Sequence, residues 1–198
     1  MIIGIQVKRF YNKQKSILQS NNKKFHNKEY SNKIDIITNK RNNQIKDILH
    51  KISEYIIKYC LNNNIRNIVI GKNKQWKSKI NIGKRNNQNF VNIPHTKFIE
   101  YLKYKAKLNG IKLIETEESY TSKCDSLSLE TIQKHDKYSG KRVKRGLFQS
   151  SIGKLINADI NGAINILRKK LNKSKQNSLI DRILYNGCVF QPLKVKLF

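Results

Sequence analysis

Two short apolar runs, Asn67-Ile68-Val69-Ile70-Gly71 and Ile111-Lys112-Leu113-Ile114, constrain the fold more than any other feature of this chain. Each has strand length, and between them lies a polar segment, Lys72–Asn92, followed by a helical pattern. That pattern starts at Pro94 and Thr96, runs through Phe98, Ile99, Leu102 and Ala106, and stops at Asn109-Gly110. Strand, loop, helix and strand in that order predict two parallel strands joined by a right-handed crossover. Upstream, Ile45, Ile48, Leu49, Ile52, Ile56 and Tyr59 recur at steps of three and four, so Asn42–Leu61 is an amphipathic helix ended by Asn62-Asn63-Asn64. Phe10–Ser20 reads as a basic helical stretch, with a polar loop through Asn32. Tyr120–Ser151 has no strong period and is expected to be an insertion. Asn157-Ala158-Asp159 opens a third helix through Leu171, Lys173–Asn177 reads as a linker and Ile183–Phe198 as a weak strand-like tail. The fold class expected is α/β, in a chain whose 198 residues suffice for one domain with a real core.

Charge narrows the partner. Lys and Arg number 41 against 13 Asp and Glu, a formal net charge of +28 that calls for a polyanion. No acidic residue lies between Glu54 and Glu100, an interval that holds Lys72, Lys74, Trp76, Lys77, Lys84, Arg85 and Phe90. A second acid-free interval, between Asp136 and Asp159, holds Tyr138, Lys141, Arg142, Lys144, Arg145 and Phe148. Cations neutralise phosphates and aromatic rings stack on exposed bases, so both tracts are candidate nucleic-acid contacts. The pattern does not separate DNA from RNA. No apolar run reaches the roughly 20 residues of a membrane helix. Three dispersed cysteines, Cys60, Cys124 and Cys188, argue against a disulfide framework, and a cytoplasmic protein is expected.

In so basic a chain the few carboxylates matter individually. A nuclease that works through metal ions needs clustered carboxylates around the scissile phosphate. Glu115, Glu117 and Glu118 follow the second strand, at the end where α/β folds place ligands. On a continuing strand Glu117 and Glu118 face opposite ways, so one of them at most enters a site. Asp159 opens a helix, where an N-cap is the competing reading. His95, after Pro94, fits a helix start or a packing role better than a ligand role.

Four segments carry a resemblance: Asn86-Asn87-Gln88-Asn89-Phe90-Val91-Asn92-Ile93-Pro94-His95, Glu118-Ser119-Tyr120-Thr121-Ser122-Lys123-Cys124, Gly140-Lys141-Arg142-Val143-Lys144-Arg145-Gly146-Leu147-Phe148 and Asn157-Ala158-Asp159-Ile160-Asn161-Gly162-Ala163-Ile164-Asn165-Ile166. From about Tyr11 onward the chain resembles the C-terminal half of the TnpB/OrfB proteins of insertion sequences, long described as transposases. The resemblance implies an RNase H-like RuvC core that cuts DNA under the guidance of a transposon-derived RNA, with Mg²⁺ as the metal. Asp159 matches the last RuvC aspartate. Gly71 stands where the middle acid usually ends its strand, and Glu118, with Glu117 second, matches a rearranged glutamate. No acid matches the first aspartate; Gln6 echoes its place only superficially. The fold implied is thus an incomplete RNase H-like core with a basic insertion, lacking the first catalytic strand.

The implied organisation is a basic remnant over 1–41, the middle of the RuvC-like core over 42–119, and an insertion replacing a zinc ribbon over 120–151. The last motif helix spans 152–177 and the tail 178–198. Relatives close their ribbon with four cysteines, whereas Tyr120–Ser151 offers Cys124 and His135, so no zinc is expected. Cys124 reads as a small buried apolar residue. The function implied is a truncated, RNA- and DNA-binding member of a metal-dependent endonuclease lineage, with Glu118 and Asp159 as catalytic and metal residues and little cleavage alone. A non-catalytic repressor or guide-RNA sink is the alternative.

Overall fold

The computed structural model describes residues 2–28, 30–72 and 94–186, together with Pro192 and Val195. The chain divides into a helical unit and a mixed unit.

The helical unit holds α1 (Ile2–His26), α2 (Asn32–Asn62) and α3 (His95–Leu108), with α2 packed on both of the others. Ile34, Leu49, Ile57 and Cys60 of α2 and Leu102 and Ala106 of α3 supply its buried apolar stripe. Both α1 and α2 exceed their expected lengths. Their paired segments are polar and weakly periodic, and cross-helix contacts rather than propensity extend them. Tyr11 is buried, its hydroxyl lies 3.0 Å from Thr38 Oγ1, and the Arg41 guanidinium covers its ring at 4.6 Å. Gln6 falls within α1, not on a strand. The α2 end is as expected: Asn63 is the C-cap and Asn64 adopts φ 54°. Helix α3 also ends as expected, with Gly110 at φ 65°.

The mixed unit begins with β1 (Asn67–Gly71) and β2 (Lys112–Thr116), which pair in parallel in the register Ile70↔Glu115 and Gly71↔Thr116. Parallel strands cannot be joined by a tight hairpin, and α3 lies in the connection between these two. A second, antiparallel sheet in the order β3-β4-β5 consists of β3 (Lys141–Lys144), β4 (Leu147–Gln149) and β5 (Leu155–Asn157). Two of its strands lie inside the stretch expected to be an unpatterned insertion. They are three or four residues long and β3 is exposed throughout, which leaves no alternation to read. Gly146, at φ 79°, makes the turn between them.

Two helices follow, α4 (Ala158–Arg168) and α5 (Lys173–Asn186). Here the expectation fails: the linker at Lys173–Asn177 and the first residues of the strand-like tail are one helix. Its few apolar residues serve a shared core, in which Ile180 and Ile183 pack with Leu127, Phe148, Ile156, Ala158 and Ile164. Of the remaining tail only Pro192 and Val195 are among the described residues. Phe148, expected to stack on bases, is 1% exposed and pairs with Ile156 across the sheet. The fold is mixed α/β with small sheets. No helix among the described residues is long and apolar enough to cross a membrane.

Candidate metal centre and nucleic-acid interface

Strands β1 and β2 end side by side at Gly71 and Thr116, and the chain leaves β2 through Glu117 and Glu118. The two glutamates part, but β2 ends at Thr116, so strand alternation does not reach them. Glu117 is exposed and turned outward: Oε1 accepts the Ser119 amide at 3.0 Å and Oε2 pairs with Lys169 at 3.1 Å. Glu118 lies over the end of β1. A methyl group placed on Gly71 would lie 2.6 Å from Glu118 Oε2, 3.0 Å from its Cβ and 2.8 Å from Ile166 Cδ1. The absent side chain at 71 therefore makes the space that the Glu118 carboxylate occupies. The Glu118 carbonyl accepts the Thr121 hydroxyl at 2.8 Å, fixing the backbone just beyond. Gly71→Ala should displace Glu118 or Ile166 and cost about 1–3 kcal/mol, as overpacking does, read from urea unfolding. An unchanged midpoint would mean that the carboxylate does not hold this position.

Helix α4 packs on β1. Asp159 and Ile166 are seven residues apart on α4 and so lie on one stripe of it, the stripe that meets Gly71 through Ile166. Asp159 is not the N-cap. Asn157 caps the helix, accepting from the amides of Asp159 at 2.9 Å and Ile160 at 3.3 Å. The Asp159 side chain is exposed in the first turn, at the positive end of the helix dipole, with no hydrogen-bond or ion-pair partner among the described residues. The expected competing role thus belongs to Asn157.

The cations of the second tract sit close by. Gly146 O accepts the Ala158 amide at 3.0 Å, which brings the Lys144-Arg145 turn against the start of α4. Lys141, Arg142, Lys144 and Arg145 are all exposed on or beside the edge strand β3, and none has an ion-pair partner among the described residues. A shift of register between Arg142 and Lys144 breaks the alternation, so Lys141 and Lys144 pair across to Gln149 and Leu147. Of the first tract, Lys72 forms an ion pair with Glu115 at 2.7 Å. Lys74, Trp76, Lys77, Lys84 and Arg85 lie outside the described residues, as does Phe90.

The insertion is closed by a carboxylate that sequence reasoning passed over. Asp125 is fully buried. Its Oδ1 accepts the Leu127 amide at 3.1 Å, and its Oδ2 accepts the Ser150 hydroxyl and the Ser151 amide at 2.7 Å each and the Ser151 hydroxyl at 3.0 Å. Burial alone would raise its pKa; the Ser150 and Ser151 donors outweigh burial and hold the carboxyl below the ordinary aspartate value. Asn161 and Asn165 of α4 bind the same segment from below, both donating to the Cys124 carbonyl, at 2.9 and 2.7 Å. Cys124 is fully buried, as expected, and burial raises its thiol pKa. Arg168, 2% exposed, donates to Glu130 O at 3.0 Å and Asn165 Oδ1 at 2.6 Å. No signal in the sequence joins Asp125 to Ser150 and Ser151, which only the fold brings together.

Among the described residues, no three or more His, Cys, Asp or Glu side chains gather at one place. Glu118 stands beside Ile166 at the end of β1, and Asp159 lies two turns earlier on α4; both offer hard carboxylate oxygens. That chemistry suits Mg²⁺, which binds one or two carboxylates and completes its shell with water and phosphate oxygens.

Comparison with known proteins gives a consistent placement. Residues 5–77 match the family model described as a probable transposase, OrfB of the IS605 type, and residues 95–166 match the Cas12f1-like TNB domain. A solved structure, the cryo-EM structure of a Cas12f1–sgRNA–target DNA complex, is similar at a TM-score of 0.57 and 20% identity. The similarity covers 82% of this chain and 42% of that one, so the chain spans less than half the length of that relative. No curated protein matches.

Proposed function

Since the chain belongs to the TnpB/OrfB family, we propose that it is a nucleic-acid-binding protein of the RNA-guided endonuclease lineage, built on part of a RuvC-like core. The observation that carries this is the carboxylate of Glu118 over Gly71: the middle acid is missing from β1, and a glutamate from beyond β2 takes up the space its absence leaves. Glu118 and Asp159 would together hold Mg²⁺, which when bound neutralises charge on a phosphate and lowers the pKa of a bound water. The rest falls to the chain's own residues. Gly71 leaves room for the glutamate, Asn157 takes the capping role so that the Asp159 carboxylate stays open, and the β3 edge supplies cations for phosphates. Its partners in this reading are DNA and a transposon-derived RNA, as in the guide and target complex of the structural relative.

This chain presents no acid that matches the family's first aspartate, so we take it to bind nucleic acid by itself and to cut little. With two carboxylates instead of three, the charge developing at a scissile phosphate is under-compensated. The test uses purified protein, Mg²⁺, the element's RNA and a DNA target. Little or no cleavage is expected, and robust cutting abolished by Asp159→Ala would overturn the claim. In a Glu118→Gln/Asp159→Asn double variant, salt-dependent nucleic-acid binding should persist at full strength, because removing two acids takes away no phosphate contact.

A further inference from the structure

The end of α4 carries three consecutive cations, Arg168, Lys169 and Lys170, which in a chain this basic read as more surface for phosphate. Lys169 is spent otherwise. Its side chain is only 18% exposed, and its ammonium has three short contacts: the Glu117 carbonyl at 3.0 Å, the Glu117 carboxylate at 3.1 Å and the Ser119 carbonyl at 3.0 Å. A lysine ammonium has three donors, and all three are committed here. The two carbonyls belong to the residues immediately before and after Glu118. Lys169 therefore clamps the backbone on both sides of the one residue whose carboxylate lies over Gly71, and it does so from α4, the helix that also carries Asp159.

We propose that Lys169 is a positioning residue for the metal centre: it holds the Glu117–Ser119 backbone to the C-terminal end of α4 so that the Glu118 carboxylate stays in register with Asp159, at the other end of the same helix. This rests on the reading of Glu118 and Asp159 as metal-holding carboxylates. The physical basis is preorganisation. The segment has left β2, and no sheet pairing holds Glu117 or Glu118. Thr121 holds the Glu118 carbonyl from one side, and the Lys169 clamp fixes the peptide units before and after Glu118; groups behind the first ligands commonly account for 10–100-fold in metal affinity.

The experiment measures Mn²⁺ affinity on the full chain by electron paramagnetic resonance of the free ion, alongside the thermal midpoint and affinity for a labelled single-stranded oligonucleotide. Lys169→Met keeps the aliphatic stem and removes the ammonium. It should weaken Mn²⁺ binding about tenfold and leave oligonucleotide affinity unchanged, since no donor of Lys169 is available for phosphate. Lys169→Arg should restore part of the Mn²⁺ affinity. If Lys169→Met fails to fold, Glu117→Gln replaces it: that change removes the charged acceptor while keeping both carbonyls, and a smaller loss of Mn²⁺ affinity is expected. Glu118→Gln and Asp159→Asn separate the two readings. If both bind Mn²⁺ like the parent protein, the metal centre itself is wrong and the positioning role falls with it. If both lose Mn²⁺ while Lys169→Met, or Glu117→Gln in its place, binds it normally, the metal centre stands and the positioning role is overturned. Equal losses of Mn²⁺ and oligonucleotide binding, unrescued by arginine, would make Lys169 a general support of the fold and overturn it too.

Discussion

Asp125→Ala is expected to lose about 3–5 kcal/mol of folding stability, the range of the most damaging single substitutions. The carboxylate accepts from both ends of the insertion, from Leu127 on one side and from Ser150 and Ser151 on the other, in a fully buried place. Removing it leaves three backbone amides, those of Leu127, Ser128 and Ser151, without their acceptor around a fully buried position, and each buried group left unpaired carries a desolvation cost of about 1–3 kcal/mol. Asp125→Asn should cost less, because an amide oxygen still accepts, but its NH₂ group would confront the Ser151 N–H, a donor facing a donor. The pH dependence follows from the direction of the shift. The folded carboxyl has a pKa below the ordinary aspartate value, so the unfolded chain binds the proton more readily. Its contribution to stability is fully present above the unfolded value of about 4 and disappears as pH falls through the depressed folded value. Urea midpoints measured over that acid range should fall more steeply in the parent protein than in Asp125→Asn. In this account hydrogen bonds close the insertion, so a chelator should leave its thermal midpoint unchanged. Coincident acid profiles of the two proteins would show that the carboxylate contributes nothing as an anion.

The same residues mark where sequence reading succeeds and where it stops. Strands β1 and β2 were legible because each is an apolar run bounded by Asn or Gly. Helix α3 was legible because Leu102 and Ala106 keep a helical step and Asn109-Gly110 ends it. Asp159 and Glu118 stood out because acids are rare in this chain, and the resemblance, by setting Gly71 where an acid is usual, pointed to Glu118, which the fold places against Gly71. What one dimension could not show is that Asn157, not Asp159, is the cap, since both are good capping residues two positions apart. Helix α5 escaped because its apolar residues are few, and only the company of Phe148 and Ile156 makes Ile180 and Ile183 a buried face. Asp125 and Lys169 escaped for a deeper reason. Both act through partners brought near by the fold, Ser150-Ser151 in one case and Glu117 with Ser119 in the other, and in sequence they are simply one acid and one of 41 cations.

Neutralising the β3 edge gives the second large effect. A Lys141→Gln/Arg142→Gln/Lys144→Gln/Arg145→Gln variant should bind single-stranded nucleic acid about 10²–10³-fold more weakly near 0.1 M salt, and the dependence of log affinity on log salt should flatten by roughly three. The reasoning runs from exposure to counterions. All four side chains are exposed and none has an ion-pair partner among the described residues, so each is available to a phosphate and none is already neutralised by an acid. Lys72, by contrast, is paired with Glu115, and Lys72→Gln should change affinity and slope less than any one of the four. Stability should barely move, since an edge strand exposed along its whole length contributes little to the core. Fluorescence anisotropy across a series of salt concentrations supplies both numbers. A slope that does not change in the quadruple variant would move the nucleic-acid interface off this edge. A weakened but salt-independent residue of binding would instead indicate aromatic stacking, for which Tyr138, half-buried beside His135 and three residues before Lys141, is a described ring that is not buried in the core. The two effects are separable because they live on opposite sides of one insertion: Asp125 holds its ends together from the buried interior, and the cations line its exposed edge, with the turn at Lys144-Arg145 bonded through Gly146 to the start of α4, one residue before Asp159.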